Sequence, residues 1–235
     1  MPTEEVLRVR ARKAPTAKWP LDLSVSFEVP PGVTILFGPS GSGKSTLLAI
    51  IAGLLPASEG RITLGSQVWL DSQTRTVLPV QRRQVSLVFQ SLALFPHLSA
   101  LANVEYGIDR ASSRRDRGRR AGAMLERMGV GALAQRRPGS FSGGEAQRVA
   151  LARAFACDPK VVLLDEAFSA LEAPLRARLH SEVRALVAER GIPTLQVTHD
   201  RDEARTMGSR VILVKAGKVS AAGPIEEHLG ARSDD

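Results

Sequence analysis

Gly38-Pro39-Ser40-Gly41-Ser42-Gly43-Lys44-Ser45, followed by Thr46 and the apolar run Leu47 to Leu55, is the stretch whose reading decides the fold. It fits the phosphate-binding pattern G-x-x-x-x-G-K-[ST]. A triphosphate concentrates negative charge, and a glycine-rich turn entering a helix surrounds it with backbone N–H donors and the positive end of the helix dipole. In this arrangement Lys44 reaches the β- and γ-phosphates and Ser45 sets its hydroxyl on Mg²⁺. The flanks matter as much as the loop. Val33-Thr34-Ile35-Leu36-Phe37 reads as a short buried strand and Leu47 to Leu55 as a helix, which is the setting the pattern requires. A flexible glycine–serine linker would not be hemmed in by two apolar elements.

Working outward, 235 residues suffice for one α/β domain with an inserted subdomain. The longest uncharged apolar run is far short of the ~20 residues that span a bilayer. Met1-Pro2-Thr3-Glu4-Glu5 lacks the basic-then-apolar pattern of a signal peptide. A soluble, cytoplasmic protein is the expectation. The single cysteine, Cys157, excludes an internal disulfide or a cysteine metal cluster and agrees with a reducing compartment.

The net charge of +8 raises the question of nucleic acid, and its location bears on the answer. Between Arg110 and Arg137 nine arginines face only Asp116 and Glu126, a net of +7. No aromatic residues of the kind that stack on bases are interleaved. Ala121, Met124, Leu125 and Met128 fall at i, i+3, i+4 and i+7, so the simplest reading is an amphipathic helix with a solvated basic approach. Contact with an acidic partner, with phospholipid head groups or with nucleic acid stays open.

Residues 6–12 and 21–29 alternate as strands, and Pro30-Pro31-Gly32 turns the chain toward the phosphate loop. Arg61 to Leu64 and Gln67 to Leu70 form a hairpin around Gly65-Ser66. These early strands read as an antiparallel layer beside the nucleotide. Trp19, in the loop between the first two strands, either stacks on a base or is an amphipathic surface residue. Val85 to Phe89 is a buried-type strand ending at Gln90, where α/β sheets meet their ligands. Leu92 to Val104 is an apolar loop that Pro96 keeps from regular helix, and it reads as a partner surface or as internal packing.

Ser142 and Glu145 have capping-box spacing ahead of the helical stretch Ala146 to Ala156, while Gly143-Gly144 leaves N–H groups free for a second anion site. Val161 to Leu164 delivers Asp165 and Glu166: one carboxylate to hold the Mg²⁺ shell, one to polarise an attacking water. Leu195 to Thr198 ends at His199, either a structural histidine or a donor to a γ-phosphate.

In this order the segments resemble the ATP-binding subunit of an ABC transporter. Gly38 to Ser45 is similar to Walker A, Gln90 to the Q-loop, Phe141 to Gln147 to the signature motif, Val161 to Glu166 to Walker B, Ser169-Ala170-Leu171-Glu172 to the D-loop and His199 to the H-loop. The resemblance implies an α/β P-loop NTPase (RecA-like) core with an antiparallel β subdomain and an inserted α-helical signature subdomain. One domain would occupy 1–235, its core built from 1–89 and 157–235 and its helical part from 90–156. The implied cofactors are ATP and Mg²⁺. ATP would be held by Gly38, Pro39, Ser40, Gly41, Ser42, Gly43, Lys44, Ser45 and Thr46, and by Ser142, Gly143 and Gly144 of a second subunit. Mg²⁺ would fall to Ser45, Gln90 and Asp165, and catalysis to Glu166, His199 and Gln90.

The implied partners are a second copy, in a head-to-tail homodimer closed by ATP, and transmembrane permease subunits docked near Gln90 and Leu94 to Val104. An extracytoplasmic solute-binding protein would act indirectly, nucleic acid is not expected, and the subunit would sit on the inner face of the cell membrane. Phe95 to Val104 is similar to the docking region of bacterial importers. Ser142-Gly143-Gly144-Glu145 resembles the variant signature of molybdate importers, as does the lack of an aromatic nearer the usual adenine-stacking position. The implied cargo is therefore molybdate or, more widely, an inorganic anion or polyamine.

The chain departs from the family at Phe141 for Leu, Glu145 for Gln, Ala167 for Pro and Glu172 for Asp. No C-terminal regulatory domain is expected, since Val211 to Val214 and Lys218 to Ala222, turning at Gly217, read as the end of the core. Alternatives from other classes are a soluble ABC-type ATPase acting on nucleic acid or the ribosome, and a phosphate-loop kinase. The kinase leaves the Ser142-Gly143-Gly144 helix start and His199 without a role.

Overall fold

Strict alternation makes two-faced strands at the start of the chain: in β1 (Leu7–Lys13) and β2 (Leu23–Val29) every second residue is buried. The computed structural model describes residues 5–17, 19–109 and 111–230. Met1 to Glu4, Arg110 at the head of the basic stretch and the chain end at Asp235 lie outside the described residues. β3 (Gly32–Phe37) is buried from Val33 to Leu36, as a strand covered on both faces must be. It feeds α1 (Lys44–Ala52), which starts three residues before the apolar run and stops at Gly53, left-handed at φ 83°. β4 (Glu59–Leu64), β5 (Gln67–Asp71) and β6 (Thr76–Val77) form a meander, followed by the single turn α2 (Val80–Arg83). The buried Arg83 donates to Ile50 O at 3.2 Å and Ile51 O at 2.7 Å, satisfying carbonyls at the end of α1.

β7 (Val85–Val88) leads to three packed helices, α3 (Ala100–Glu105), α4 (Arg114–Arg127) and α5 (Gly143–Ala156). β8 (Val161–Asp165), α6 (Ala173–Arg190), β9 (Pro193–Thr198) and α7 (Arg201–Met207) follow, then β10 (Arg210–Lys215), β11 (Lys218–Pro224) and α8 (Ile225–Leu229).

The strands make one sheet in the order β6-β5-β4-β1-β2-β11-β10-β3-β9-β8-β7. The early strands pair antiparallel, as expected. They continue the sheet, joined to it where β11 pairs with β2 at Lys218 and Ser24. The β10, β3, β9, β8 and β7 end is parallel except at its antiparallel partner β11. Alternate residues of the buried strands serve two apolar clusters: Val162 and Leu164 pack on the helical side, Val161 and Leu163 toward α1. Truncating Leu163 or Leu164 to alanine removes about 2–5 kcal/mol.

One expectation changes here. Val104 belongs to a helix, because Ser99 caps α3 by accepting from Ala102 N, beyond the reach of Pro96. The loop before it is drawn inward by the buried Asn103, whose amide nitrogen donates to the carbonyls of Phe95, Leu98 and Ser99 while its oxygen accepts from Phe95 N. Leu92, Leu94 and Leu101 pack on the core, and the large apolar side chains left exposed at this end are Phe89 and Tyr106. The basic stretch forms the expected amphipathic helix, with Arg114 and Arg115 exposed and others paired. Arg127 pairs with Glu182 and Glu189, Arg120 with Asp158 and Arg119 with Asp116, while Ala121, Met124, Leu125 and Met128 are buried.

Candidate functional site

Register brings the chemistry together. Phe37 pairs with Thr198, Val197 with Asp165, and Leu164 with Val88, so four parallel strands end side by side. The residues just beyond those ends are Gly38, His199, Glu166 and Gln90, at the carboxyl edge where such sheets bind ligands. A cleft of about 470 Å³ opens there, lined by Trp19, Ser40, Gly41, Gly43, Lys44, Ser45, Thr46, Gln90, Glu166, Val197 and His199.

The loop is shaped by close approach and by handedness. A Cβ at Gly38 would lie 2.0 Å from Val214 O, and Gly43 caps α1 at φ 98° with no side-chain hydrogen bond. The first N–H groups of α1, at Lys44, Ser45 and Thr46, have no intrahelical acceptor and surround the loop. Lys44 Nζ folds back on Gly38 O at 2.9 Å and Pro39 O at 2.8 Å. Burial lowers its pKa, while the carboxylates of Glu166 and Asp165 act in the opposite sense. Burial also raises the Asp165 pKa, and a hydrogen bond from Ser45 offsets part of that.

Glu166 sits at a left-handed φ of 51°, a strained setting for a non-glycine residue. Its Oε2 accepts from Gln90 Nε2 at 3.0 Å, and its Oε1 lies 3.3 Å from His199 Nδ1. Ser169 Oγ and Gln147 Nε2 both donate to the Glu166 carbonyl, at 3.0 Å and 3.5 Å. A hydroxyl, a carboxylate and an amide oxygen, from Ser45, Asp165 and Gln90, are hard donors that suit Mg²⁺. With Gln90 Nε2 turned to Glu166, its oxygen is left for that use.

Ser142, Gly143 and Gly144 do not line this cleft. They begin α5 and pack against the Ser169 to Glu172 segment: a Cβ on Gly143 would lie 3.7 Å from Ala170 Cβ, and one on Gly144 3.1 Å from Leu171 Cδ2. Ser142 and Glu145 make a full capping box. Trp19 does line the cleft, held by paired backbone hydrogen bonds with Thr16, and its Nε1 is buried without a partner.

Sequence reasoning passed over Gln147 as a residue in its own right, as well as the buried Glu203. Glu203 accepts from Thr198 Oγ1 at 3.0 Å and from Gln196, fixing the end of β9 just before His199, and burial raises its pKa. Only its place three residues after the helix cap Asp200 was visible, and that pattern signals no more than a cap.

Fold and site define a phosphate-loop nucleotide-binding α/β protein. A family model described as "ABC transporter" matches residues 23–169. The chain is 45% identical to the Fe(3+) ions import ATP-binding protein FbpC 1 of Rhizobium meliloti (strain 1021), over 88% of this chain and 57% of that one. It is 42% identical to the molybdenum import ATP-binding protein ModC of Albidiferax ferrireducens, over 84% of this chain and 53% of that one. The chain thus spans little more than half the length of these relatives. Among solved structures it is similar to the dimeric structure of MJ0796, a bacterial ABC transporter cassette, with a TM-score of 0.81 and 31% identity over 93% of this chain and 98% of that one. A post-hydrolysis state of the same cassette bound to ADP and Pi matches at a TM-score of 0.79 and 31% identity, with the same coverage. The chain belongs to the ABC transporter family, and its domain is an ABC ATPase.

Proposed function

We propose that the protein is the ATP-hydrolysing subunit of an importer for an inorganic ion, working peripherally on the inner face of the membrane. The observation that carries this reading is the convergence of Lys44, Ser45, Gln90, Glu166 and His199 on one cleft. Gly38 to Thr46 bind the phosphates, with Lys44 leaving its loop carbonyls for the β- and γ-phosphates. Ser45, Asp165 and Gln90 would hold Mg²⁺, which would supply charge neutralisation on the phosphate oxygens. Glu166 takes the proton of the attacking water, and His199 donates to the γ-phosphate. Trp19 stacks on the base.

The signature residues Ser142, Gly143 and Gly144 lie outside their own cleft, which supports a head-to-tail homodimer in which each caps the other subunit's ATP. The helices from α3 to α5 pack on one another, which supports a helical subdomain over 90–156 beside a core of 1–89 and 157–235. Exposed Phe89 and Tyr106 flank the segment from Gln90 to Val104, and permease subunits dock there, with a solute-binding protein acting indirectly. The relatives named for Fe(3+) and for molybdenum support an inorganic cargo, molybdate among the candidates. No described helix is long and apolar enough to cross a membrane.

Glu166→Gln tests the reading. It keeps the side chain's size and removes the base, so the ATPase rate falls by roughly 10²–10⁴-fold while ATP still binds. Equal rates in the two proteins would sink the assignment.

A further inference from the structure

Arg153 lies near the C-terminal end of α5, and its guanidinium forks onto the turn that follows Gln90. One terminal nitrogen donates to Ala93 O and the other to Leu92 O, both at 2.8 Å. The guanidinium carbon stands 5.7 Å from the centre of the Phe95 ring. The carbonyls it holds belong to two consecutive non-glycine residues in the left-handed region, Leu92 at φ 59° and Ala93 at φ 46°. Each such residue is disfavoured, and a pair persists only where the surroundings over-determine it. The turn's own bonds, Leu92 N to Phe89 O and Ala93 N to Ser91 O, tie it back to residues beside Gln90.

The clamp is itself an unfavourable choice. Its two hydrogen bonds go to carbonyls, not to a carboxylate, and a guanidinium drawn out of water without an anion is costly. Burial accordingly lowers its pKa. A strained turn held by a half-buried cation is a poor solution for stability alone, and such local conflicts mark functional positions. The turn closes on Phe89 and Ser91, the two neighbours of Gln90, and Gln90 reaches Glu166 from there.

We infer that Arg153 is a positioning residue, which fixes the Leu92–Ala93 turn to α5 and so holds the Gln90 amide at Glu166. α5 begins at the signature turn, so one helix carries that turn at its start and steers Gln90 from its other end. With the fork removed, the turn relaxes out of the left-handed region and Gln90 withdraws. The inference rests on the ATPase reading for its kinetic readout alone.

The test compares wild type, Arg153→Lys, and Arg153→Lys with Ala93→Gly, by steady-state ATP hydrolysis and by amide hydrogen exchange without nucleotide. A lysine keeps the charge but cannot bridge two carbonyls as a planar fork does. Arg153→Lys is expected to lower kcat about tenfold with KM for ATP within about twofold, and to speed exchange of the amides from Gln90 to Phe95. Glycine accepts the left-handed conformation freely, so Ala93→Gly should restore about threefold of that loss. A merely structural arginine would give no such rescue. Exchange at wild-type rates in Arg153→Lys, or a lost kcat that Ala93→Gly leaves unchanged, overturns the inference. A wild type without ATPase activity would fault the ATPase reading instead, and the exchange data would still decide the role of Arg153.

Discussion

Two helices of this protein begin in glycine-rich turns, and the turns are built in opposite ways. α1 starts at Gly43, left-handed and without any side-chain cap, so its first N–H groups face the cleft unoccupied by the chain itself. α5 starts at Ser142, where Ser142 Oγ accepts from Glu145 N at 3.2 Å and the Glu145 carboxylate accepts from Ser142 N at 2.7 Å. The Glu145 carboxyl is held below its ordinary pKa, chiefly by that backbone N–H. The first start is thus left open by the chain's own side chains. The second already holds a carboxylate of its own, and a phosphate approaching it meets that charge. On the proposed function, the first start would bind nucleotide within its own chain and the second would complete a site on another copy.

The largest effect should come from the open start. Lys44→Ala removes the cation at the β- and γ-phosphates and should weaken ATP binding by roughly 10–100-fold, the worth of a hydrogen bond to a charged group. Titration calorimetry with unchanged affinity would contradict the role given to α1.

Next comes the contrast between the two glycines. Alanine at Gly43 must adopt a φ near 98° with its Cβ 2.7 Å from Leu23 Cδ1. A loss of about 1–3 kcal/mol is expected, read as a lowered Tm. Gly143→Ala meets only an ordinary contact with Ala170 and should leave stability within about 0.5 kcal/mol, while ATP-driven association falls. Equal melting losses in the two variants would erase the distinction.

The smallest effect concerns Glu145. Glu145→Gln removes the competing charge at α5, and ATP-dependent association should strengthen by a few-fold, as a charge at a helix start is worth. The depressed carboxyl also sets a pH window. Its contribution is complete above the ordinary carboxylate range, near pH ~4.3, and is lost as pH falls through its lower folded value. The stability difference between wild type and Glu145→Gln should therefore shrink on acidification, and a difference that is flat with pH would show that the carboxylate does not cap α5.

The parts of this molecule legible in its sequence are those written in a few adjacent residues. The phosphate loop between strand and helix, the S-x-x-E cap of α5 and the carboxylates ending β8 each declare themselves locally. What escaped are arrangements made by one long side chain reaching distant backbone. Asn103 folds the Phe95 to Ser99 loop inward, Arg153 clamps the turn after Gln90, and Arg83 satisfies the end of α1. The amphipathic helix of the arginine-rich stretch was legible, but the pairing of Arg127 and Arg120 was not, because Glu182, Glu189 and Asp158 are remote in sequence. The union of the two sheet halves was equally hidden, resting on the contact of β11 with β2.

The central claim is that the closed start of α5 completes the cleft of a second copy. The most direct measurement is light scattering after size-exclusion chromatography of Glu166→Gln, with and without ATP. The account predicts a monomer that becomes a dimer on ATP binding, with Gly143→Ala in the same background weakening the shift. A chain that binds ATP at the phosphate loop yet remains monomeric at every protein concentration tested would contradict it.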